Sequence, residues 1–224
     1  MSLIYWRNHD ETSTEPVTVL HPLPVQTVNL PTVGSTNIPF SADLTWRLAL
    51  EGRIFISSDG DQNDYVTGQT SFANTTPTFL LHNPAGSDRL IVPMFYQLTQ
   101  AGTVAGGDIN VDTEIVAPSA WASGGTAEKI VNSRPGMPGR PAPHGILYSG
   151  ATATAGYGIA IGHATLAADV SPAEGIINVY EWQAPAGTLL DPGTSLNVFT
   201  YAGTTGPTWG WVAVWGEIPL SWVS

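Results

Sequence analysis

Beyond residue 44, apolar and polar residues alternate with period two over much of the chain, the spacing of side chains on half-buried β-strands. Leu44, Trp46, Leu48 and Leu50 alternate with Thr45, Arg47, Ala49 and Glu51, and Ile54-Phe-Ile56 continues that character, so the folded body is expected to start here as a strand. In Asp108-Ile-Asn-Val-Asp-Thr-Glu-Ile-Val116 the same period puts Asp108, Asn110, Asp112 and Glu114 on one face and turns Ile109, Val111 and Ile115 toward a core. Further strands are expected at 146–149, 156–161, 176–182, 195–201 and 209–218, each bounded by Gly, Pro or Asp.

Two apolar runs within 76–96 flank the turn Asn83-Pro-Ala-Gly-Ser-Asp88 and read as a central hairpin. Pro93 lies in its return strand. A proline donates no ladder hydrogen bond, so this strand is expected at an edge, with a bulge, or with that nitrogen turned outward. Residues 1–44 carry Pro16, Pro22, Pro24, Pro31 and Pro39 and read as an extended N-terminal arm. Residues 117–144 form a long connection rich in Pro and Gly, a candidate contact element. Ser171-Pro-Ala-Glu174 is the only helical signal, one turn stopped by Gly175. The chain is therefore expected to be all-β: a two-sheet antiparallel sandwich of jelly-roll type spanning 45–224 behind the arm.

Composition narrows the function classes. With 24 Gly, 18 Pro and only 11% charged residues, turns and strands are favoured over solvated helices. Eighteen acidic residues face seven basic ones, for a net charge of -11, so the cationic surface that nucleic acid requires is missing. No segment has the length of a membrane span, and the N-terminus has neither the basic nor the apolar region of a secretory leader. No nucleic-acid or membrane partner is expected. The absence of cysteine excludes disulfides and thiolate metal sites, as suits a protein made in a reducing cytoplasm. The three basic residues Lys129, Arg134 and Arg140 gather in the 117–144 connection, the natural place to meet an acidic neighbour.

Candidate chemistry is sparse. The row Asp108, Asn110, Asp112 and Glu114 and the cluster Asp59, Asp61 and Asp64 offer oxygen ligands for calcium, but neither has the spacing of a calcium loop, and a solvated face and turn are the plainer readings. Glu181 and Glu217 would be the carboxylate pair of a sandwich glycosidase only if they converge. His9, His21, His82, His144 and His163 have no metal-ligand spacing, and 156–162 departs from the phosphate-binding glycine patterns. No cofactor or metal is expected, and no enzyme activity. Five of the eight tryptophans fall at or after Trp182, and Trp209, Trp211 and Trp215 share one strand face. That ridge suits a core or a subunit contact better than a sugar platform, which remains the alternative function: a carbohydrate- or host-receptor-binding module with exposed aromatics.

Two segments carry a family likeness. The run Thr78-Phe-Leu-Leu-His-Asn-Pro-Ala-Gly-Ser-Asp-Arg-Leu-Ile-Val92 resembles the strand, Asn-Pro-x-Gly-Ser, strand element of tailed-bacteriophage virion proteins encoded near the head genes. The stretch from Pro192 to Pro219, with Trp211-Val-Ala-Val-Trp-Gly-Glu-Ile-Pro219, resembles their closing strands. The resemblance implies a jelly-roll subunit, trimeric, that decorates or cements an icosahedral capsid by binding the major capsid protein. It would be made in the host cytoplasm and end on the capsid surface. Trp209, Trp211, Trp215, Lys129, Arg134 and Arg140 are then the candidate subunit or capsid contacts.

Overall fold

The computed structural model describes residues 5–7, 14–16, 44–58, 65–101, 108–117, 121–154, 158–167, 178–203 and 206–223. The chain divides into two compact units, Met1–Ala42 and Asp43–Ser224. In the first, β1 (Tyr5–Arg7) pairs antiparallel with β2 (Thr14–Pro16); the rest of the expected arm lies outside the described residues.

The second unit opens with α1 (Leu44–Leu50) and continues through β3 (Ile54–Ser58), β4 (Val66–Thr67), β5 (Phe79–Asn83), β6 (Arg89–Gln100) and β7 (Asp108–Val116). Then come β8 (Trp121–Ser123), β9 (Thr126–Ala127), β10 (Ile130–Asn132), β11 (Ile146–Ser149) and β12 (Thr152–Ala153). The chain closes with β13 (Ile159–Ala167), β14 (Val179–Gln183), β15 (Thr194–Ala202), β16 (Thr208–Pro219) and a 3-10 turn at Leu220–Trp222. Sheet I has the order β10-β3-β16-β6-β14, with β4 also on β16, and sheet II the order β13-β7-β15-β5-β11-β9. All these pairings are antiparallel. Set aside β4 and the short strands between β7 and β13, and eight strands remain. The first, third, sixth and eighth form sheet I, and the second, fourth, fifth and seventh form sheet II, which is the double Greek key of a jelly roll.

Alternation fixes which side of each strand is buried. On β16, Trp209, Trp211, Ala213 and Trp215 point between the sheets, where they meet Phe79, Tyr96, Val198 and Leu98 in the main core. Phe79 stacks on Trp211 with ring centres 5.6 Å apart, and Tyr96 stacks on Trp182 at 5.1 Å. The outward residues Ile54, Leu90, Val214 and Ile218 form a second core under Leu48 of α1, so the lower half of β16 is buried on both faces.

Three expectations are corrected and one is met. Leu44–Leu50 is a helix, not a strand. Its alternation is also compatible with Leu44 and Leu48 one turn apart, and Gly52 at φ +66 stops it with a Schellman cap: Arg53 N–H donates to Leu48 O at 2.7 Å and Gly52 N–H to Ala49 O at 3.0 Å. The supposed hairpin of 76–96 is an arch, because β5 belongs to sheet II and β6 to sheet I. Asn83 holds the arch from inside: its amide donates to Arg89 O at 2.9 Å and Leu190 O at 2.8 Å, and Ser87 Oγ donates to its Oδ1 at 2.5 Å. Both β5 and the middle of β6 are apolar on successive residues, which suits strands lying between two layers rather than a two-stranded ribbon. Of the three ways expected for Pro93, the bulge is the one found: β6 lies between β16 and β14, and Val214 pairs with Phe95 and Trp215 with Pro93, leaving Met94 unmatched. Finally, the 117–144 connection carries strands of its own: β10 extends sheet I beyond β3, and β9 joins sheet II beyond β11. The helical signal at 171–174 lies outside the described residues.

Candidate functional site

Two surfaces on opposite faces of the sandwich carry most of the exposed chemistry among the described residues. The first lies over the outer face of sheet I, beside α1. Leu48 anchors the helix there, over Gly216, where a Cβ would come within 2.6 Å of its Cδ1. The helix therefore turns Trp46 (65% exposed) and Leu50 outward. At its C-terminal end the Leu50 carbonyl accepts from Arg134 Nη1, which satisfies a carbonyl the helix leaves unpaired. Asn132 holds the following turn, donating to Gly52 O at 2.5 Å and accepting from Arg134 N at 2.9 Å. Arg140, whose Nη1 donates to Pro135 O, packs beside the same glycine. Glu51 binds Arg47 Nε at 3.2 Å and Arg53 Nε at 3.1 Å, and both guanidinium groups lie over the Trp222 ring, 4.1 and 5.1 Å from its centre. Four of the seven basic residues thus lie on α1 or close to its C-terminal end, two of them bound to Glu51. Lys129 is exposed at the other end of β10, its carbonyl accepting from Ser57 Oγ at 2.9 Å.

Sequence reasoning found Arg134 and Arg140 but not Arg47, Arg53 or Trp46. Their signal was available in Leu-Glu-Gly-Arg, a helix end, but the period-two reading of 44–50 hid it.

The second surface is the outer face of sheet II. Asp108, Asn110, Asp112 and Glu114 do share a face of β7, pointing away from the core that holds Ile109 and Val111. Their neighbours on β13 pair with them: Asp112 with His163 Nδ1, and Asn110 Oδ1 with Thr165 Oγ1 at 3.0 Å. Burial, reinforced by the charge of Asp112, holds the Glu114 carboxyl above its ordinary value. Burial likewise raises the Tyr201 phenol, which also contacts Asp112. Phe72, partly exposed, covers Phe199 at 5.3 Å and Tyr201 at 5.5 Å. No group of three carboxylates or histidines able to hold a metal ion forms among the described residues, so the row is not a calcium cage there. Asp59, Asp61 and Asp64 lie outside the described residues.

Farther along this face, β8 and β12 lie over β5 and β11. Trp121 stacks on Tyr148 at 5.2 Å and sits 6.1 Å from His82. His82 is buried, which lowers its imidazole from the ordinary value, partly opposed by the Thr194 backbone.

The tryptophan ridge is internal. Trp209 and Trp215 are fully buried and Trp211 is 4% exposed, so none offers a ring to a subunit, a capsid or a sugar. Their assignment as contacts is corrected to core: alternation placed them on one face, and that face points between the sheets. The glycosidase pair does not form either. Glu181 is exposed on the outer face of sheet I, accepting from Gln97 Nε2 at 2.7 Å, whereas Glu217 is buried on the inner face. Glu217 accepts from His144 N at 3.0 Å, Gly145 N at 2.9 Å and Trp215 Nε1 at 3.3 Å. It is a structural pin.

No helix among the described residues is long and apolar enough to cross a membrane. No family model matches the chain, and no curated protein or solved structure is similar enough to count as a match.

Proposed function

We propose that this chain is a structural protein of a tailed-bacteriophage virion that associates as an oligomer and decorates or cements an icosahedral capsid. The strand order carries the reading. Sheets β3-β16-β6-β14 and β13-β7-β15-β5 form the jelly roll that viral capsid domains and lectins use, and the space between them is filled by Trp209, Trp211, Trp215 and Phe79. Its partners would be further copies of itself, expected as a trimer, and the major capsid protein. The resemblance of 78–92 and 192–219 to virion proteins points the same way. Clamping would be noncovalent, many modest contacts adding across neighbouring shell subunits.

The carbohydrate- or receptor-binding alternative loses the residues on which it rested, since Trp209 and Trp211 are inside. The test is copurification: the protein should accompany intact particles through density-gradient purification at a fixed ratio to the major capsid protein. Particles that carry none of it overturn the reading.

A further inference from the structure

The two outer faces of the sandwich are complementary to each other. On sheet I, Trp46 is 65% exposed on α1, Arg134 and Arg140 are exposed near the C-terminal end of that helix, and Arg47 and Arg53 both bind Glu51. On sheet II, Asp108 is exposed, Asp112 and Glu114 follow it along β7, and Phe72 with Tyr201 forms an aromatic pair beside them. Tryptophan and arginine are the residues that dominate binding energy at protein interfaces.

We propose that the chain self-associates head to tail, the Trp46–Arg134–Arg140 surface of one copy packing on the Asp108–Asp112–Glu114 row and Phe72 of the next. The occupant follows from charge. In a chain of net charge -11 four of seven basic residues are spent on one surface, so that surface meets a carboxylate-rich face on any copy of the same chain. Two like surfaces meeting face to face would instead set arginine against arginine. Association through different surfaces on opposite sides is heterologous, which builds a ring when the rotation closes. Burial and the nearby charge of Asp112 raise the cost of ionising Glu114 in the isolated chain, and an arginine from a neighbour relieves it. The inference deepens the oligomer reading above by naming its two surfaces, and it is tested without particles.

Sedimentation velocity on the full chain over a concentration series should show reversible association that weakens as salt is raised. The double variants Arg134→Ser/Arg140→Ser and Asp108→Asn/Glu114→Gln should each be monomeric alone. Mixed, they should form a one-to-one complex and nothing larger, because each retains the surface the other has lost. Trp46→Ala, which removes an exposed ring, should weaken association roughly tenfold and decides the matter if a charge variant misfolds. A monomeric wild type, association by either charge variant as strong as wild type, a mixture of folded variants that stays monomeric, or Trp46→Ala equal to wild type overturns the proposal. Particle occupancy is a separate measurement, so loss of one reading does not mimic loss of the other.

Discussion

The Glu217 carboxylate accepts the backbone N–H of Gly145 at 2.9 Å across 72 residues of sequence. The approach is close enough that a Cβ on Gly145 would lie 3.3 Å from the Glu217 Oε1, 3.1 Å from Trp215 Nε1 and 2.7 Å from Ile91 Cδ1. The end of the 117–144 connection is thereby fastened to the last strand of sheet I. Replacing Glu217 by Gln puts an amide donor among three donors and leaves one of them unmatched. We expect a loss of about 2–3 kcal/mol in unfolding free energy by urea denaturation. Glu181→Gln, on the exposed face, should change it by less than about 0.5 kcal/mol. Equal effects would refute the pin.

Burial separates the tryptophans in the same way. Trp209→Ala should cost about 3–5 kcal/mol, the range for emptying an aromatic site in a core. Trp46→Ala should leave unfolding within about 0.5 kcal/mol of wild type while altering association. A Trp209 variant as stable as wild type would place that ring outside the core.

Glycines at positive φ test the helix cap. Gly52 (φ +66) would bring a Cβ within 2.8 Å of Met137 Sδ, whereas Gly86 (φ +83) has open space around it. Alanine at either should cost about 1 kcal/mol for the left-handed backbone, with a further loss at Gly52 from the Met137 contact. Thermal melts should rank Gly52→Ala below Gly86→Ala, and the reverse order would show that the 132–141 segment yields freely.

The acidic row has a pH signature. Folding raises the Glu114 carboxyl above its ordinary value of 4.5, so the folded chain binds that proton more tightly than the unfolded one. Between the two values stability therefore falls as pH rises, and above the folded value the penalty is fully present. Glu114→Gln should melt higher than wild type at neutral pH, and the difference should shrink below the unfolded value. A difference independent of pH would mean that the side chain's charge is not the cause.

How much of this was legible in the sequence depends on the range of the interaction. Strand character at β7, β11, β15 and β16 was readable because period two is local, and the common face of Trp209, Trp211 and Trp215 followed from it. Whether that face points inward depends on the second sheet, which no local pattern names. The arch at Asn83 illustrates the same limit: Asn-Pro-Ala-Gly-Ser-Asp announces a turn, but the choice between hairpin and arch rests on Asn83 reaching Leu190, 107 residues away. At 44–50 a short alternation served helix and strand equally, and the cap at Gly52 decided it. The arginine surface joins residues 47 and 53 to 134 and 140, a proximity created only when the connection after β7 extends sheet I beyond β3.

Strand β16 lies between β3 and β6, so the last of the eight jelly-roll strands occupies the middle of its sheet. During synthesis the ribosome releases β3 and β6 long before the strand that joins them. Sheet I stays divided, with Phe55 lacking Trp215 and Leu98 lacking Trp211, until residues 208–219 have emerged. Folding of the sandwich thus waits for β16 and is dominated by non-local pairing. Polypeptides broken off before Thr208 would have no route to a closed core, and so would be excluded from any assembly that selects folded subunits.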